Sequence, residues 1–271
     1  MEVSFVKLSP TQNVTILVES RVPRREQAAL AAKLLAYDGV GGEQVGFLEE
    51  PALPGTRMRL QMMGGEFCGN AAMSVGVYLA WKDGLPDGEA MDCPLEVSGA
   101  DERVFCSILR RGDGFRGTVQ MPLPERFAEA ELPSDRGRLT LPAVVLPGIV
   151  HVIAGRGTGL SREEIERRIR EWNKIVRADA LGVLRYDEKT GSMEPIVYVP
   201  ATESAVWERG CGSGTAAIGC WKAHVLGRSY FGTVDQPGGG IDVDVRVEEG
   251  RIAGLTITGT VHIAASGTAY V

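Results

Sequence analysis

The amino-acid sequence repeats itself once, and this internal repeat constrains the fold more than any other feature. Cys68-Gly69-Asn70 in the first half corresponds to Cys211-Gly212-Ser213 in the second, and the two cysteines are 143 residues apart. Further along, Gly117-Thr118-Val119 corresponds to Gly259-Thr260-Val261 with an offset of 142 residues. A period of this length is too long for a solenoid and predicts two similar domains.

Each half contains the same order of predicted elements. A strand-rich opening precedes a charged helix, and a later helix is apolar nearly all round, so strands must cover it on every side. In the second half Ser161 and Glu164 have the spacing of a capping box. The sequence therefore predicts an α/β fold in which each domain holds one central helix. The predicted openings are Val3–Val18 and Leu141–Ala154, the charged helices Arg24–Tyr37 and Ser161–Lys174, and the central helices Gly69–Trp81 and Gly212–His224.

The boundary between the two domains is predicted within residues 121–138, where Pro122, Pro124 and Pro133 interrupt the pattern and the charge rises. We expect an N-terminal domain at residues 1–122 and a C-terminal domain at residues 123–261. Residues 262–271 form a further strand pattern, and the sequence leaves open whether this strand joins the first domain.

Composition and charge exclude several function classes. The net charge of −6, without a local run of basic residues, argues against binding to nucleic acid. No stretch approaches the roughly 20 apolar residues that span a bilayer. The N-terminus has a strand pattern in place of a signal peptide, so we expect a cytoplasmic protein without membrane association. Five widely spaced cysteines and three histidines give no disulfide framework and no metal site. Cys93, Cys106 and Cys220 are expected to be buried structural residues.

Cys68 and Cys211 have a different setting, because each directly precedes a glycine at the start of a predicted helix. The N–H groups and the positive end of the helix dipole favour a thiolate there, so a lowered thiol pKa is expected. The same N–H groups bind a carboxylate, and glycine lets a substrate approach the backbone closely. One helix start thus supplies a base and an anion site.

Two such helix starts facing each other supply what racemisation of an amino acid requires. One thiolate removes the α-proton from one face, and the opposite thiol delivers a proton to the other. The charge that develops on the substrate carboxylate is stabilised by the preorganised donors of the two helices, worth roughly 3–4 kcal/mol per well-placed donor. This mechanism needs no pyridoxal phosphate, metal or other cofactor.

The paired motifs Cys68–Asn70 and Cys211–Ala216 resemble those of the diaminopimelate epimerase/proline racemase superfamily. The resemblance covers essentially the whole chain. It implies two pseudo-symmetric α/β domains, each a β-barrel-like sheet around a central helix, with the active site between them. It also implies an amino acid as the small-molecule partner, and it allows a homodimer, since the superfamily includes dimers.

Within the superfamily the chain is most similar to the histidine racemases of staphylopine-type opine metallophore biosynthesis. That resemblance implies racemisation of L-histidine to D-histidine. Proline racemases typically have histidine at the position of Asn70, and the lactonising isomerases of this fold lack the cysteine pair. The segments that carry the similarity are Asn13–Val18, Glu43–Phe47, Gly65–Asn70, Trp207–Glu208, Cys211–Thr215 and Gln236–Gly239.

The resemblance also assigns the substrate-binding residues. Asn13 lies where the family has a substrate-contacting asparagine, Glu43 follows a glycine-rich loop and is suited to bind an imidazole N–H, and Glu208 is a candidate partner of the substrate amino group. His151 occupies the position in the repeat that matches Asn13, but a single histidine among apolar residues is more often part of the core. The remaining candidates are Gly69, Asn70, Arg209, Gly212 and Ser213.

Two alternatives remain open at this stage. Diaminopimelate epimerase uses the same chemistry, but in that family several residues separate the Glu-Arg-Gly motif from the second cysteine. Here Glu208-Arg209-Gly210 leads directly into Cys211, which weakens the assignment of Arg209 to a distal substrate carboxylate. The second alternative is a catalytically inactive module that keeps the fold to bind an amino acid.

Overall fold

The computed structural model describes all 271 residues, which form two compact units. The first unit comprises Met1–Met121 together with Ile257–Val271, and the second comprises Pro122–Thr256. Both contain two helices and a majority of strands, so the predicted α/β class is confirmed. None of the four helices has the length and apolar character needed to cross a membrane.

In the first unit, strands surround one buried helix. Its elements are β1 (Glu2–Pro10), β2 (Thr15–Val18), α1 (Arg24–Leu35), β3 (Gln44–Glu49), β4 (Arg59–Met62), α2 (Gly69–Lys82), β5 (Ala90–Asp92), β6 (Glu96–Val97), β7 (Cys106–Arg111) and β8 (Gly114–Gln120). Helix α2 packs against β1, β2, β7 and β8. Eleven of its residues are buried, as expected for a helix without a polar face.

The second unit repeats this arrangement. Its elements are β9 (Arg126–Ser134), β10 (Gly137–Leu146), β11 (Ile149–Gly155), α3 (Arg162–Val176), β12 (Leu181–Asp187), β13 (Ser192–Val199), β14 (Ser204–Trp207), α4 (Gly212–Leu226), β15 (Tyr230–Gln236) and β16 (Gly239–Glu248). Helix α4 packs against β10, β11, β15 and β16. In both units a parallel strand pair, β2 with β3 and β11 with β12, lies among antiparallel neighbours.

The last strand, β17 (Arg251–Tyr270), begins in the second unit and ends in the first. Its C-terminal part pairs antiparallel with β1, from Glu2 opposite Tyr270 to Pro10 opposite Val261. Strand β1 pairs on its other edge with β2. The final residues of the chain therefore supply one of the two neighbours of the first strand.

The helix that begins after Ser161 is confirmed, with one change in its cap. Ser161 Oγ accepts a hydrogen bond from the Glu164 N–H at 3.2 Å, as in a capping box. The Glu164 carboxylate does not return to Ser161. It accepts a hydrogen bond from the Asp135 N–H at 2.7 Å instead, so the cap also ties the helix to the turn between β9 and β10.

The expected interruption of the strand pattern around residues 121–138 is wrong for part of that segment. Residues 126–134 form β9, which pairs with β10 along its whole length. Pro133 lies within this strand, where its missing N–H is tolerated when that edge faces no partner strand. Its carbonyl accepts a hydrogen bond from Trp172 Nε1 at 2.8 Å, so the proline still contributes to the packing of α3 on the sheet.

Candidate active site

Cys68 is the N-cap residue of α2. Its backbone is extended, with φ −137° and ψ 111°, and its sulfur accepts a hydrogen bond from the Ala71 N–H at 3.4 Å. The side chain thus takes the place that serine or aspartate occupies in an ordinary cap. This geometry holds the sulfur at the positive end of the helix, as the sequence predicts.

A chain of amide groups leads from Cys68 to the candidate substrate-binding residues of the same unit. The Cys68 thiol donates a hydrogen bond to Gln44 Oε1 at 3.0 Å. Gln44 Nε2 donates to Asn13 Oδ1 at 2.7 Å and to Thr15 Oγ1 at 2.8 Å. Asn13 Nδ2 in turn donates to Glu43 Oε2 at 2.6 Å. The structure therefore brings Asn13 and Glu43 together with Cys68.

The turn that presents Asn13 has a strained backbone. Thr11 and Gln12 have φ values of 47° and 61°, in the left-handed region that side chains other than glycine and asparagine seldom adopt. The turn is closed by a hydrogen bond from the Asn13 N–H to the Pro10 carbonyl at 2.8 Å. Strain of this kind costs about 1–3 kcal/mol per residue and is concentrated at functional sites. The Asn13 amide itself is oriented by its hydrogen bonds with Gln44 and Glu43.

Cys211 is the corresponding N-cap of α4. Its sulfur accepts a hydrogen bond from the Gly214 N–H at 3.3 Å, and the residue is buried. A closed set of polar contacts holds its backbone: the Cys211 N–H donates to Gln236 Oε1 at 2.7 Å, Gln236 Nε2 donates to Thr215 Oγ1, and Thr215 Oγ1 donates to the Cys211 carbonyl. This arrangement leaves the sulfur little freedom to move.

The Cys211 thiol and the Glu208 carboxyl form a hydrogen-bonded pair. Burial, followed by the charge and hydrogen bond of Glu208, raises the pKa of the Cys211 thiol well above its usual range. Burial also raises the pKa of Glu208, and its hydrogen bond with Cys211 partly opposes this. The two groups therefore form a buried pair joined by one hydrogen bond.

The expectation that the helix start lowers the thiol pKa is wrong for Cys211. The hydrogen bonds from Ser213 and from the Gly214 N–H do lower it, but burial and the adjacent carboxylate outweigh them. A thiolate with a raised pKa is a stronger base. Because the α-C–H of an amino acid is a very weak acid, a strong base suits that proton transfer better than a readily ionised thiolate does.

The glycine after Cys68 has a packing reason as well. A Cβ on Gly69 would lie 2.6 Å from Met121 Sδ and 3.2 Å from Ile257 Cδ1, so any side chain there would force Met121 to move. Gly212 and Ser213 are the first residues of α4, and helix geometry gives their N–H groups no partner within the helix. Asn70 is buried and its carbonyl accepts from Ser74 Oγ. The roles of Gly69, Asn70, Gly212 and Ser213 in binding substrate stay predictions.

Arg209 lies at the surface beside the second cysteine motif. Its guanidinium donates a hydrogen bond to the Pro237 carbonyl at 3.1 Å, and its own carbonyl accepts from the Gly238 N–H at 2.7 Å. These contacts join the segment before Cys211 to the turn after β15. The predicted role of Arg209 in binding substrate has no test in this geometry.

Three polar residues that contact the cysteines or their neighbours were missed as candidates from the sequence: Gln44, Thr215 and Gln236. They lie in segments that carry the family resemblance, but nothing in their local pattern shows that they contact a cysteine. His151, which its position in the repeat brought into consideration, is fully buried, and its Nε2 lies 2.9 Å from Ser213 Oγ.

The other three cysteines are structural, as expected. Cys93, Cys106 and Cys220 are buried. Burial raises the pKa of Cys93 and of Cys220 to about 12, and raises that of Cys106 as well. No cluster of three or more histidine, cysteine or carboxylate side chains converges anywhere in the chain.

Comparison with known proteins assigns the chain to a family. The family described as "Histidine racemase CntK N-terminal domain" matches residues 2–270. The chain belongs to this family. It is 32% identical to a histidine racemase of Staphylococcus aureus over 273 aligned positions, covering 99% of this chain and 98% of that protein. It is 30% identical to a histidine racemase of Fusobacterium nucleatum, covering 98% and 97%.

Solved structures share the fold at low sequence identity. A hydroxyproline epimerase from Agrobacterium vitis with bound trans-4-hydroxy-L-proline superposes with a TM-score of 0.73 at 15% identity, covering 98% of this chain and 92% of that one. A probable proline racemase from Agrobacterium radiobacter with bound carbonate gives a TM-score of 0.72, also at 15% identity and with the same coverage. As a member of the histidine racemase family, the protein is an amino-acid racemase, and the predicted fold and family are confirmed.

Proposed function

We propose that this racemase interconverts L-histidine and D-histidine without a cofactor, with Cys68 and Cys211 as the two proton-transfer groups. The observation that carries the proposal is the equivalence of the two cysteines: each caps the N-terminus of the buried helix of its unit, and each thiol has a hydrogen-bond acceptor, Gln44 or Glu208. Histidine as substrate is supported by two relatives that are named histidine racemases. This chain aligns with each of them along nearly its whole length.

The proposed reaction conserves protons between substrate and enzyme. One cysteine is a thiolate and takes the α-proton, while the other is a thiol and gives its proton to the opposite face of the same carbon. When Cys211 is the base, its thiol proton has moved to the Glu208 carboxylate beforehand and stays there; when Cys211 is the acid, its proton goes to the substrate carbon. The N–H groups at each helix start stabilise the charge that develops on the substrate carboxylate. After one turnover the two sulfurs have exchanged protonation states.

The test is incubation of the purified protein with single amino acids in deuterated water. We expect deuterium at Cα of histidine, together with formation of the other enantiomer. Exchange into diaminopimelate but not histidine would support an epimerase instead. Cys68→Ser and Cys211→Ser are each expected to abolish racemisation, since a serine hydroxyl is too weak an acid and base. Serine keeps the helix cap, so loss of activity without loss of fold isolates the chemistry.

An inactive binding module would give a different result. Histidine would then bind to the wild-type protein and to both cysteine variants with equal affinity, and none of the three would exchange deuterium. Isothermal titration with L-histidine, run beside the exchange assay, separates this outcome from a simple failure of the enzyme to bind histidine.

Glu43 is proposed to accept a hydrogen bond from the substrate imidazole. Its carboxylate is held by Asn13, which the same network connects to Cys68. Glu43→Gln is expected to raise KM for histidine about tenfold, because a hydrogen bond to a charged group contributes about 1.5–3 kcal/mol. The kcat should change less, since the carboxylate contacts no reacting atom. An unchanged KM would remove Glu43 from the substrate site.

We further propose that the D-histidine product enters opine metallophore biosynthesis of the staphylopine type, with the protein in the cytoplasm. The support is membership of the family of the S. aureus histidine racemase. A strain lacking the gene should lose the metallophore and regain it when D-histidine, but not L-histidine, is supplied. Recovery with L-histidine would place the enzyme in another pathway.

A further inference from the structure

A buried serine hydroxyl lies beneath the loop that leads into Cys68. This loop joins the end of β4, at Met62, to the start of α2, and its middle residues, 64–66, are exposed. Ser98 directly follows β6 and is buried. The proposed reaction does not use its hydroxyl, so the contacts of this side chain need a separate explanation.

The Ser98 hydroxyl joins the two ends of the loop. Its Oγ accepts a hydrogen bond from the Met62 N–H at 2.9 Å and donates one to the Glu66 carbonyl at 2.8 Å. Between these ends the chain turns at Gly65, whose N–H donates to the Met62 carbonyl at 3.0 Å and whose φ is 79°. The Ser98 N–H donates to the Leu60 carbonyl at 2.9 Å, so the backbone of Ser98 is itself fixed to β4.

Gly99 packs against the peptide bond between Glu66 and Phe67. Its φ is 73°, and a Cβ there would lie 2.4 Å from the Phe67 N and 2.8 Å from the Glu66 C. Because both are backbone atoms, this close approach requires glycine. Phe67 directly precedes Cys68, so the position of this peptide bond determines where the extended backbone of the helix cap begins.

The second unit has a polar side chain at the equivalent place. Strands β6 and β15 are each paired in parallel with an earlier strand of their unit, β4 and β13. Ser98 follows β6, and Gln236 is the last residue of β15. Gln236 accepts a hydrogen bond from the Cys211 N–H at 2.7 Å. In both units, therefore, a side chain at the end of this strand binds the backbone of the segment that carries the cysteine.

We infer that Ser98 is a positioning residue for Cys68: its hydroxyl fixes the loop between β4 and α2 and so holds the Cys68 sulfur at the start of the helix. The inference rests on the proposed function, because the position of this sulfur affects turnover only if it transfers the α-proton. A misplacement of about 1 Å can lower a rate about 100-fold. The candidate substrate-binding residues Asn13 and Glu43 lie on other segments, so loss of the hydroxyl should slow turnover without weakening the binding of histidine.

The first test needs no activity. In Ser98→Ala the Met62 N–H loses its acceptor and the Glu66 carbonyl loses its donor. Peptides covering residues 62–68 should then exchange amide hydrogen at least about threefold faster in mass spectrometry. Peptides covering residues 211–215 belong to the other unit and should keep the wild-type rate. Equal protection of residues 62–68 in both proteins would overturn the inference even if the wild type is a racemase.

The second test compares the kinetics of three variants with histidine. Ser98→Ala is expected to lower kcat about tenfold and to change KM less than about twofold. Ser98→Thr keeps the hydroxyl and should recover most of the kcat. Ser20→Ala is the matched control, because Ser20 Oγ accepts a hydrogen bond from the Ser4 N–H at 2.8 Å in another segment of the same unit. This control also loses a bond between a hydroxyl and the backbone, and its kcat should equal that of the wild type.

The outcomes separate the possible failures. A Ser98→Ala enzyme with the kcat of Ser20→Ala, or one whose KM rises while kcat is kept, would overturn the inference. A Ser98→Thr enzyme no faster than Ser98→Ala would do the same, because the hydroxyl would then not be the group that matters. If Ser98→Ala does not fold, Ser98→Cys replaces it with the same expectation, since it keeps the size of the side chain with a weaker hydrogen-bonding group. A wild-type protein that exchanges no α-proton overturns the proposed function instead.

Discussion

At the scale of single residues, the two cysteines have chemically different partners. The Cys68 thiol donates to a neutral amide oxygen of Gln44, whereas the Cys211 thiol is hydrogen-bonded to the Glu208 carboxylate. An amide oxygen holds a thiol proton in place but cannot accept it. A carboxylate can accept it. In the proposed mechanism, the pair of Cys211 and Glu208 is therefore the one that can produce a thiolate within its own unit.

Glu208→Gln separates the two effects that the carboxylate has on Cys211. The negative charge of Glu208 raises the pKa of the thiol, so its removal should let the Cys211 thiolate form at lower pH. The glutamine cannot accept the proton, however, and loss of a general base typically costs 10²–10⁴-fold in rate. We expect kcat to fall at least about 100-fold while the thiolate titration moves to lower pH, measured by ultraviolet thiolate absorbance.

The other four cysteines require a matched control for that titration. The same absorbance is recorded for Cys211→Ser and for the Glu208→Gln/Cys211→Ser double variant, and each is subtracted from its parent. A titration that moves to higher pH would show that Glu208 does not act as a charge on the sulfur. Full activity of Glu208→Gln would assign the proton to another acceptor.

At the scale of elements, the sequence predicts well the helices and caps that depend on the spacing of nearby residues. The apolar helices after Cys68 and Cys211 and the Ser161 cap follow from spacing alone, and all three are present. The polar contacts around Cys68 and Cys211 do not follow from spacing. Gln44 lies 24 residues from Cys68 in sequence, and His151 lies 62 from Ser213. Strand pairing brings these residues together, and the residues next to them in sequence do not indicate the contact.

The segment around Pro133 is a case in which the local pattern misleads: the sequence predicts an interruption, but the structure has a strand. Prolines and rising charge are typical of a linker, but a strand tolerates proline where the missing N–H would have had no partner strand. The pairing of β9 with β10 along nine residue pairs decides in favour of the strand. A single sequence does not reveal this pairing, because it depends on which strand the segment meets.

The cap of α3 gives a prediction about stability. Ser161 Oγ satisfies the Glu164 N–H, one of the donors that the first turn of a helix leaves unpaired. Ser161→Ala should lower the free energy of unfolding by about 1 kcal/mol, which corresponds to a few degrees in Tm. Ser161→Asp keeps an acceptor and adds a favourable charge at the helix start, so it should match the wild type in calorimetry. Equal melting of all three proteins would mean that the cap is not formed in solution.

At the scale of the whole molecule, the first unit is discontinuous in sequence. Its strand β1 lies between β2 and the end of β17. The first strand of the chain therefore needs the last strand to satisfy the hydrogen bonds along one of its two edges. Val3 and Ala269 are both buried in the core cluster beneath α1, which includes Ile16, Leu30 and Phe47. The closing strand thus contributes apolar contacts as well as backbone hydrogen bonds.

Truncation after Thr260 tests this dependence. The shortened chain lacks the residues that pair with β1, from Val261 to Tyr270, which turns β1 into an exposed edge and opens the cluster around Val3. We expect peptides covering residues 3–18 to lose protection in hydrogen–deuterium exchange mass spectrometry. Peptides covering β12 and β13 of the second unit should stay protected, because all their strand partners remain. Full protection of residues 3–18 would show that β2 alone holds the first strand. Loss of protection throughout would show that the second unit cannot fold while the first is incomplete.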